Sequence, residues 1–460
     1  MTDTLDRLAA ACLLPSFSGH EAPDWVLRLA ERGLGGLTLF SYNVRDRDQL
    51  RALAASLPGL LLTIDEEGGD VTRLEWEHGS SSPGNLALGF VDDIELTEAV
   101  AGRIAADLAD CGIGLNDAPV ADVNTNPDNP VIGVRSFGAD PQLVARHVAA
   151  YVRGTQAQGV VACAKHFPGH GDSAVDSHLA LPIASGDWEA ALEPFRAAID
   201  AGVGSIMTAH LVVPALDDEP ATLSPAIITG LLRGELGYDG LVISDALEMR
   251  AVADLVGVEE AAVRSIAAGS DALCIGHDLH EEAVERIHCA LVQAVGEGRL
   301  PAARIEEAAA RVHRTRLTPA TGPAPARDVG ARAAALALRV DGEAHLASAP
   351  FVVELVPPAN IAAGEARHSL AEILDAPCVV LTGPGATRVP ADRTPVVVLR
   401  SASRHPWQVE IAERLAADRP DTVLVETGLP GRRPAGGAAY LLTHGAGRVN
   451  LAAAASVLRA

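Results

Sequence analysis

Lysine is almost missing from this sequence: Lys165 stands alone, and all the other positions among the 36 basic residues are arginine. A single retained ammonium points to a site that needs a compact point charge on a flexible stem rather than a planar fork. Basic charge is scarce as a whole, 36 residues against 60 acidic ones, and no Lys/Arg-rich run interrupts the net charge of −24. No nucleic-acid or membrane partner is therefore expected, and a neutral or locally complemented substrate fits better. Long apolar runs are missing too: no stretch of about 18 uninterrupted apolar residues occurs. The opening MTDTLDRLAAACLLPSFSG has no basic segment ahead of an apolar one, so a cytoplasmic location is expected. The cysteines at 12, 111, 163, 274, 289 and 378 form no CxxC pair and read as reduced core thiols rather than a disulfide frame or zinc site. Neither GxGxxG nor GK[ST] appears around Gly68-Gly69, so those glycines are expected to let the backbone pass close to a ligand rather than to bind phosphate. No cofactor and no metal are expected.

At 460 residues and 48% hydrophobic content, the chain can bury a large core and a second, smaller one. Eight short β-rich runs alternate with amphipathic segments: Leu13–Phe17, Leu37–Phe40, Leu60–Asp65, Leu115–Val123, Val160–Phe167, Ser205–His210, Leu241–Asp245 and Leu273–Ile275. Helices are expected over Pro141–Gln158, Trp188–Asp200, Ser224–Glu235 and Glu281–Val295, where apolar residues recur at three- and four-residue steps. Eight βα units in roughly 300 residues predict an α/β fold, a (β/α)8 TIM barrel over residues 1–317. Residues 318–328 are rich in Pro and Ala and read as a linker. From 329 to 460, runs at Phe351–Val356, Cys378–Thr382, Pro395–Leu399, Thr422–Val425 and Ala439–Thr443 alternate with helices such as Pro406–Ala417, which predicts a smaller α/β sandwich domain. Its Arg404, His405 and His444 read as solvated loop residues.

Barrel active sites form at the carboxyl ends of the strands, so polar residues that terminate apolar runs are the candidates. LLLTID ends in Asp65 and runs into Glu66-Glu67; VVACA ends in Lys165-His166; SIMTA ends in His210; LVIS ends in Asp245. Four strands thus bring ionisable groups to one rim. By position alone Asp245 is a nucleophile, a base or a salt-bridge partner. The segment KHFPGHGDSAVDSH, Lys165 to His178, adds His170, Asp172, Asp176 and His178. Its spacing fits neither HExxH nor a usual zinc pattern, whereas Asp176 two residues before His178 suits a carboxylate that orients a general acid/base histidine. Gly169 and Gly171 suit a mobile catalytic loop.

KHFPGHG followed by DSH, with IDEEGG before and SDALEM after, resembles the family 3 glycoside hydrolases, in their β-N-acetylglucosaminidase branch, over about residues 10–317. The resemblance implies a retaining, exo-acting enzyme with Asp245 as nucleophile, His178 as acid/base and Asp176 as its partner. It implies that Asp65, Arg73, Arg135, Lys165 and His166 hold the hydroxyls of the non-reducing sugar. It further implies β-N-acetylglucosaminides, muropeptides or chitooligosaccharides as substrates and peptidoglycan recycling as a context; because a neutral imidazole repels an incoming anion less than a carboxylate does, phosphate stands beside water as an alternative acceptor. A β-glucosidase of the same family, a metal-dependent barrel enzyme and a non-catalytic sugar-binding relative are the competing readings. Two positions depart from the family pattern: Asp70 where EGGRV has arginine, and Ala246 where SDDL has a second acid. These departures bear on the leaving-group side and on loop structure, not on the catalytic pair.

Overall fold

The structure is a computed structural model in which residues 2–276, 280–358 and 369–459 are described. Eight parallel strands form one curved sheet: β1 (Leu13–Pro15), β2 (Gly36–Leu39), β3 (Leu61–Ile64), β4 (Leu115–Asn116), β5 (Val161–Phe167), β6 (Ser205–Thr208), β9 (Leu241–Ser244) and β10 (Ala272–Ile275). A small antiparallel hairpin, β7 (Val212–Val213) and β8 (Asp217–Pro220), sits between the sixth and seventh of these. The order β1-β10-β9-β6-β5-β4-β3-β2 brings β1 and β2 side by side. At that seam the Thr38 hydroxyl donates to the Leu14 carbonyl at 3.3 Å. This is the expected TIM barrel.

Two hydrophobic layers explain why it closes. Leu14, Leu61, Leu115, Cys163, Met207, Leu241, Ile243 and Cys274 fill the interior, as the inward layers of such barrels require. The intervening residues of the same strands, among them Leu13, Leu37, Leu39, Leu62, Ile64, Ala162, Ala164, Ile206, Val242 and Leu273, face outward and pack under the helices. Alternating strand residues therefore serve both layers, which is why the runs are apolar throughout.

The strand expected over Leu115–Val123 is shorter than predicted. Its regular ladder stops at Asn116, where Ala118 N–H turns back onto Asn116 O at 2.7 Å; pairing with β5 resumes out of register, Cys163 N–H on Ala118 O and Lys165 N–H on Pro119 O at 2.9 and 3.1 Å, and Val120 bridges Lys165. The Ala118–Pro119, Lys165–His166 and Phe167–Pro168 peptides are cis. The helix expected over Ser224–Glu235 is a wide helix over Ala226–Glu235 that closes Leu236 N–H onto Leu231 O at 2.9 Å.

The Pro/Ala-rich stretch lies against the barrel, with Thr318 N–H on Gly159 O and Thr321 N–H on Ala157 O at 2.9 and 2.8 Å. A second sheet follows, in the order β11 (Arg339–Gly342), β16 (Ala439–Leu442), β15 (Val423–Glu426), β14 (Thr394–Leu399), β12 (Pro350–Leu355), β13 (Cys378–Leu381). Only β11 is antiparallel to its neighbour. Val352, Val396, Val423 and Leu441 face helices Leu370–Leu374 and Arg448–Leu458, whereas Val353, Val397, Leu424 and Tyr440 face helix Pro406–Asp418. Period-two alternation thus covers both faces, giving an α/β sandwich.

Three expectations need correction. Cys289 and Cys378 are exposed, since only Cys12, Cys111, Cys163 and Cys274 sit among core residues. His444 is not a solvated loop residue: it is 2% exposed, bonds Ala337 O through Nδ1 at 2.9 Å, and stacks on Phe90 at 4.0 Å. The Gly68-Gly69 backbone is approached by protein, not by open space for a ligand. Both residues have positive φ, and a Cβ on Gly69 would lie 2.5 Å from Gly84.

Candidate active site

Strand geometry places a charged cluster at the carboxyl end of the barrel. Asp65 directly follows β3, and Asn116 at the end of β4 clamps the next peptide, its amide bonding Glu66 N–H and C=O at 3.0 and 2.9 Å. This holds the Asp65–Glu67 turn rigid. Lys165 on β5 reaches across with its ammonium 2.5 Å from Asp65 and 2.8 Å from Glu67. Arg135, on a short turn, grips Glu67 with two nitrogens at 2.8 and 3.0 Å. Arg73 lies 3.5 Å from Asp65. All these cations are buried, Lys165 to 1% exposure.

The electrostatics follow from burial set against pairing. Burial would lift the Asp65 carboxyl, yet Lys165 and Arg73 hold it well below the ordinary range. Glu67 is opposed in the same way by burial and drawn down to about 2 by Arg135 and Lys165. Desolvation alone would depress the Lys165 ammonium, but the two carboxylates raise it well above its usual value. Asp117, just after β4, behaves in the opposite way. Burial and then the Asp65 charge push it up to about 8, and its Oδ1 is buried with no hydrogen-bond partner among the described residues. Glu66 is lifted by burial to about 7, although its carboxylate accepts from Arg73 N–H and Leu74 N–H.

Asp245 directly follows β9 and accepts from Ala246 N–H at 2.8 Å. Burial raises its pKa, but His210, His166 and His178 together bring it below the ordinary carboxylate value. Those three histidines come from different elements. His210, after β6, is held through Nδ1 by Thr222 at 2.8 Å and through Nε2 by Ala246 O at 2.9 Å. His166 at the end of β5 pairs through Nδ1 with Asp122 at 2.7 Å. His178 lies on the loop beyond β5, with Nδ1 2.7 Å from Asp176, whose carboxylate also accepts His178 N–H at 2.9 Å. Desolvation lowers the His178 pKa, but the Asp176 bond and the Asp245 charge outweigh it and leave the pKa raised. Asp176 is lowered by the same bond against its burial.

The remaining loop residues serve structure. Asp172 accepts from Ser185 and Gly186 N–H at 2.8 and 2.5 Å, and His170 N–H bonds Asp122 at 2.7 Å. Among the described residues no three His, Cys, Asp or Glu side chains converge to hold a metal.

Every site residue expected from sequence lies at this one rim. Glu67, Asp122 and Asp117 were not assigned from sequence. Glu67 leaves the β3 run as Asp65 does, the same signal that picked out Asp65 and Asp245, whereas Asp117 and Asp122 lie inside the run expected over Leu115–Val123. Asp70, the departure from the family pattern, pairs with Arg400 at 2.6 Å and accepts Ala446 N–H at 2.7 Å, so it ties the barrel to the second sheet.

The profile of the glycosyl hydrolase family 3 N terminal domain matches residues 16–315. The chain belongs to glycosyl hydrolase family 3. A β-N-acetylglucosaminidase of this family from Paenibacillus sp. str. FPU-7 superimposes with a TM-score of 0.85 and 32% identity, over 99% of this chain and 96% of the other. A "Beta-hexosaminidase A" from Pseudoalteromonas piscicida is 39% identical over 280 residues, 54% of this chain but only 47% of that protein. A "Beta-hexosaminidase" from Chromobacterium violaceum is 36% identical over 264 residues, 54% of this chain and 73% of the other. The family 3 chain is thus similar to glycoside hydrolases, and no described helix is long and apolar enough to cross a membrane.

Proposed function

We propose that the chain is a retaining, exo-acting β-N-acetylglucosaminidase in which Asp245 is the nucleophile and His178, oriented by Asp176, is the acid/base. The observation that carries this reading is the 2.7 Å Asp176–His178 pair on the loop beyond β5, at the carboxyl end of the barrel where Asp245 follows β9. The name of the Paenibacillus β-N-acetylglucosaminidase supports the N-acetylglucosamine specificity, and the names of the β-hexosaminidase relatives support a hexosaminide.

In the first step Asp245 attacks the anomeric carbon while imidazolium His178 gives its proton to the leaving oxygen. Water then attacks the glycosyl-enzyme, and neutral His178 takes the proton. Retention follows from the two displacements, a scheme run elsewhere by two carboxyl groups about 5 Å apart. Asp176 favours the charged ring and fixes which nitrogen faces the substrate. Asp245 has its carboxyl drawn below the ordinary value against burial, which suits a nucleophile. Asp65, Arg73, Arg135, Lys165 and His166 hold the sugar hydroxyls, their positions fixed beforehand by the pairs of Arg73 and Lys165 with Asp65, of Arg135 with Glu67 and of His166 with Asp122.

A neutral imidazole repels an incoming anion less than a carboxylate would, which favours phosphate as a second acceptor. Turnover of an aryl β-N-acetylglucosaminide and of the matching β-glucoside, with and without phosphate and with product identification, decides both points. N-acetylglucosamine as the product supports hydrolysis. Sugar 1-phosphate replaces the hydrolase reading with a phosphorylase, and preference for the glucoside replaces the substrate. Asp245→Ala is expected to lower kcat by at least about 10⁴-fold; near-wild-type turnover sinks the assignment.

A further inference from the structure

A cleft of about 530 Å³ lies between the barrel loops and the second sheet, and it opens on the site at Arg135 and Asp176. Its charged lining is mostly committed. Asp70 and Arg400 pair with each other, Arg135 holds Glu67, and Glu354 accepts from Ser369 and Ala371. Arg404 differs. It ends a short turn after β14, is half-buried, and its guanidinium has no hydrogen-bond or ion-pair partner among the described residues. The carboxylate whose field reaches it is that of exposed Asp128, which makes no ion pair with it, so burial lowers its pKa. Beside it His405 also lines the cleft, at the start of helix Pro406–Asp418, which has no side-chain cap. A half-buried guanidinium facing a cavity without a counter-ion is a receptor for an anion.

Resting on the proposed hydrolase reading, we infer that this cleft is the leaving-group subsite and that Arg404, flanked by His405, receives a carboxylate carried by the leaving group. The volume suits one further sugar-sized residue, and the cleft meets the site at Asp176, the partner of the proton-donating histidine. Recognition of the leaving group thus comes from the second sheet, and recognition of the N-acetylglucosamine from the barrel.

The test compares 3-carboxyphenyl and 3-carbamoylphenyl β-N-acetylglucosaminides, which differ in charge and little in shape. The full-length enzyme is expected to favour the carboxylate, mainly through KM, and Arg404→Gln to reduce the carboxylate-to-amide ratio of kcat/KM about tenfold. Arg404→Lys should keep most of the preference, and added salt should weaken it. An unchanged ratio in Arg404→Gln, or equal loss on both substrates, overturns the subsite. Calorimetric binding of the intact glycosides to the slow Asp245→Ala variant reads the subsite without turnover. Charge-selective binding with no turnover by the wild type sinks the hydrolase reading and keeps the subsite; equal binding of both glycosides sinks the subsite. Sugar 1-phosphate formation that disappears in Arg404→Gln while carboxylate selectivity persists would assign the cation to phosphate and overturn the proposal.

Discussion

Two buried charge clusters sit at opposite ends of the same barrel. At the amino end, Asp271 just before β10 is gripped by Arg233 at 2.6 Å, by Arg311 at 3.3 Å and by Arg304, and it also accepts Val242 N–H at 2.9 Å. At the carboxyl end, Asp65 and Glu67 are met by Lys165, Arg135 and Arg73. Burial and pairing are alike in the two. The surroundings differ: the lower cluster gathers three arginines on buried Asp271, two of them also paired with the exposed carboxylates Glu307 and Asp239, whereas the upper one adjoins three histidines, Asp245 and an Asp117 oxygen with no partner among the described residues. A buried ion pair is therefore weak evidence of chemistry. Its place on the barrel and the groups left unsatisfied beside it carry the argument.

The comparison breaks if the upper end can be altered without loss of rate. His178→Ala is expected to cost about 10²- to 10⁴-fold in kcat with poor leaving groups and far less with activated aryl ones. The melting temperature should move little, because the loop contributes few core contacts. Asp271→Ala should do the reverse. Removing one partner of a buried cluster costs about 3–5 kcal/mol of stability, read by denaturant unfolding, while the folded fraction keeps its kcat and KM. Lys165→Met falls between the two. It leaves Asp65 and Glu67 under-compensated, so a stability loss of about 3 kcal/mol is expected together with a raised KM; a purely structural lysine would leave KM alone.

The smallest effect concerns pH. His178 must be protonated in the first step, and its pKa is raised in the folded protein, so the alkaline limb of kcat/KM is expected above the ordinary histidine value of about 6.5. Asp176→Asn should move that limb to lower pH, while Asp245, lowered by its histidines, keeps the acid limb below the usual carboxylate range. The linked stability has the matching sign. The His178 contribution is full below the unfolded value of about 6.5 and is lost as pH rises through the folded one. A limb unmoved in Asp176→Asn argues against the dyad.

The barrel was legible because its strands are buried on both faces and therefore read as continuous apolar runs. The site was legible where a charge ended such a run, as at Asp65, Lys165 and Asp245. Leu115–Val123 misled because its apolar residues enclose Asn116, Asp117 and Pro119, and only the hydrogen bonds show the regular ladder ending at Asn116, where Ala118 N–H turns back onto Asn116 O at 2.7 Å. Asp122, inside that run, was consequently passed over, although it holds His166. Contacts between distant segments leave no local pattern at all. The Asp70–Arg400 pair spans 330 residues, and the burial of His444 depends on Phe90 and Ala337.

The solitary lysine has a practical corollary. Its ammonium is sealed between two carboxylates and is 1% exposed, so amine-directed acylating reagents find no lysine on the folded surface. Modification of Lys165 requires the rim of the barrel to open, and its rate in a pulse-labelling experiment reads the frequency of that opening at one known position.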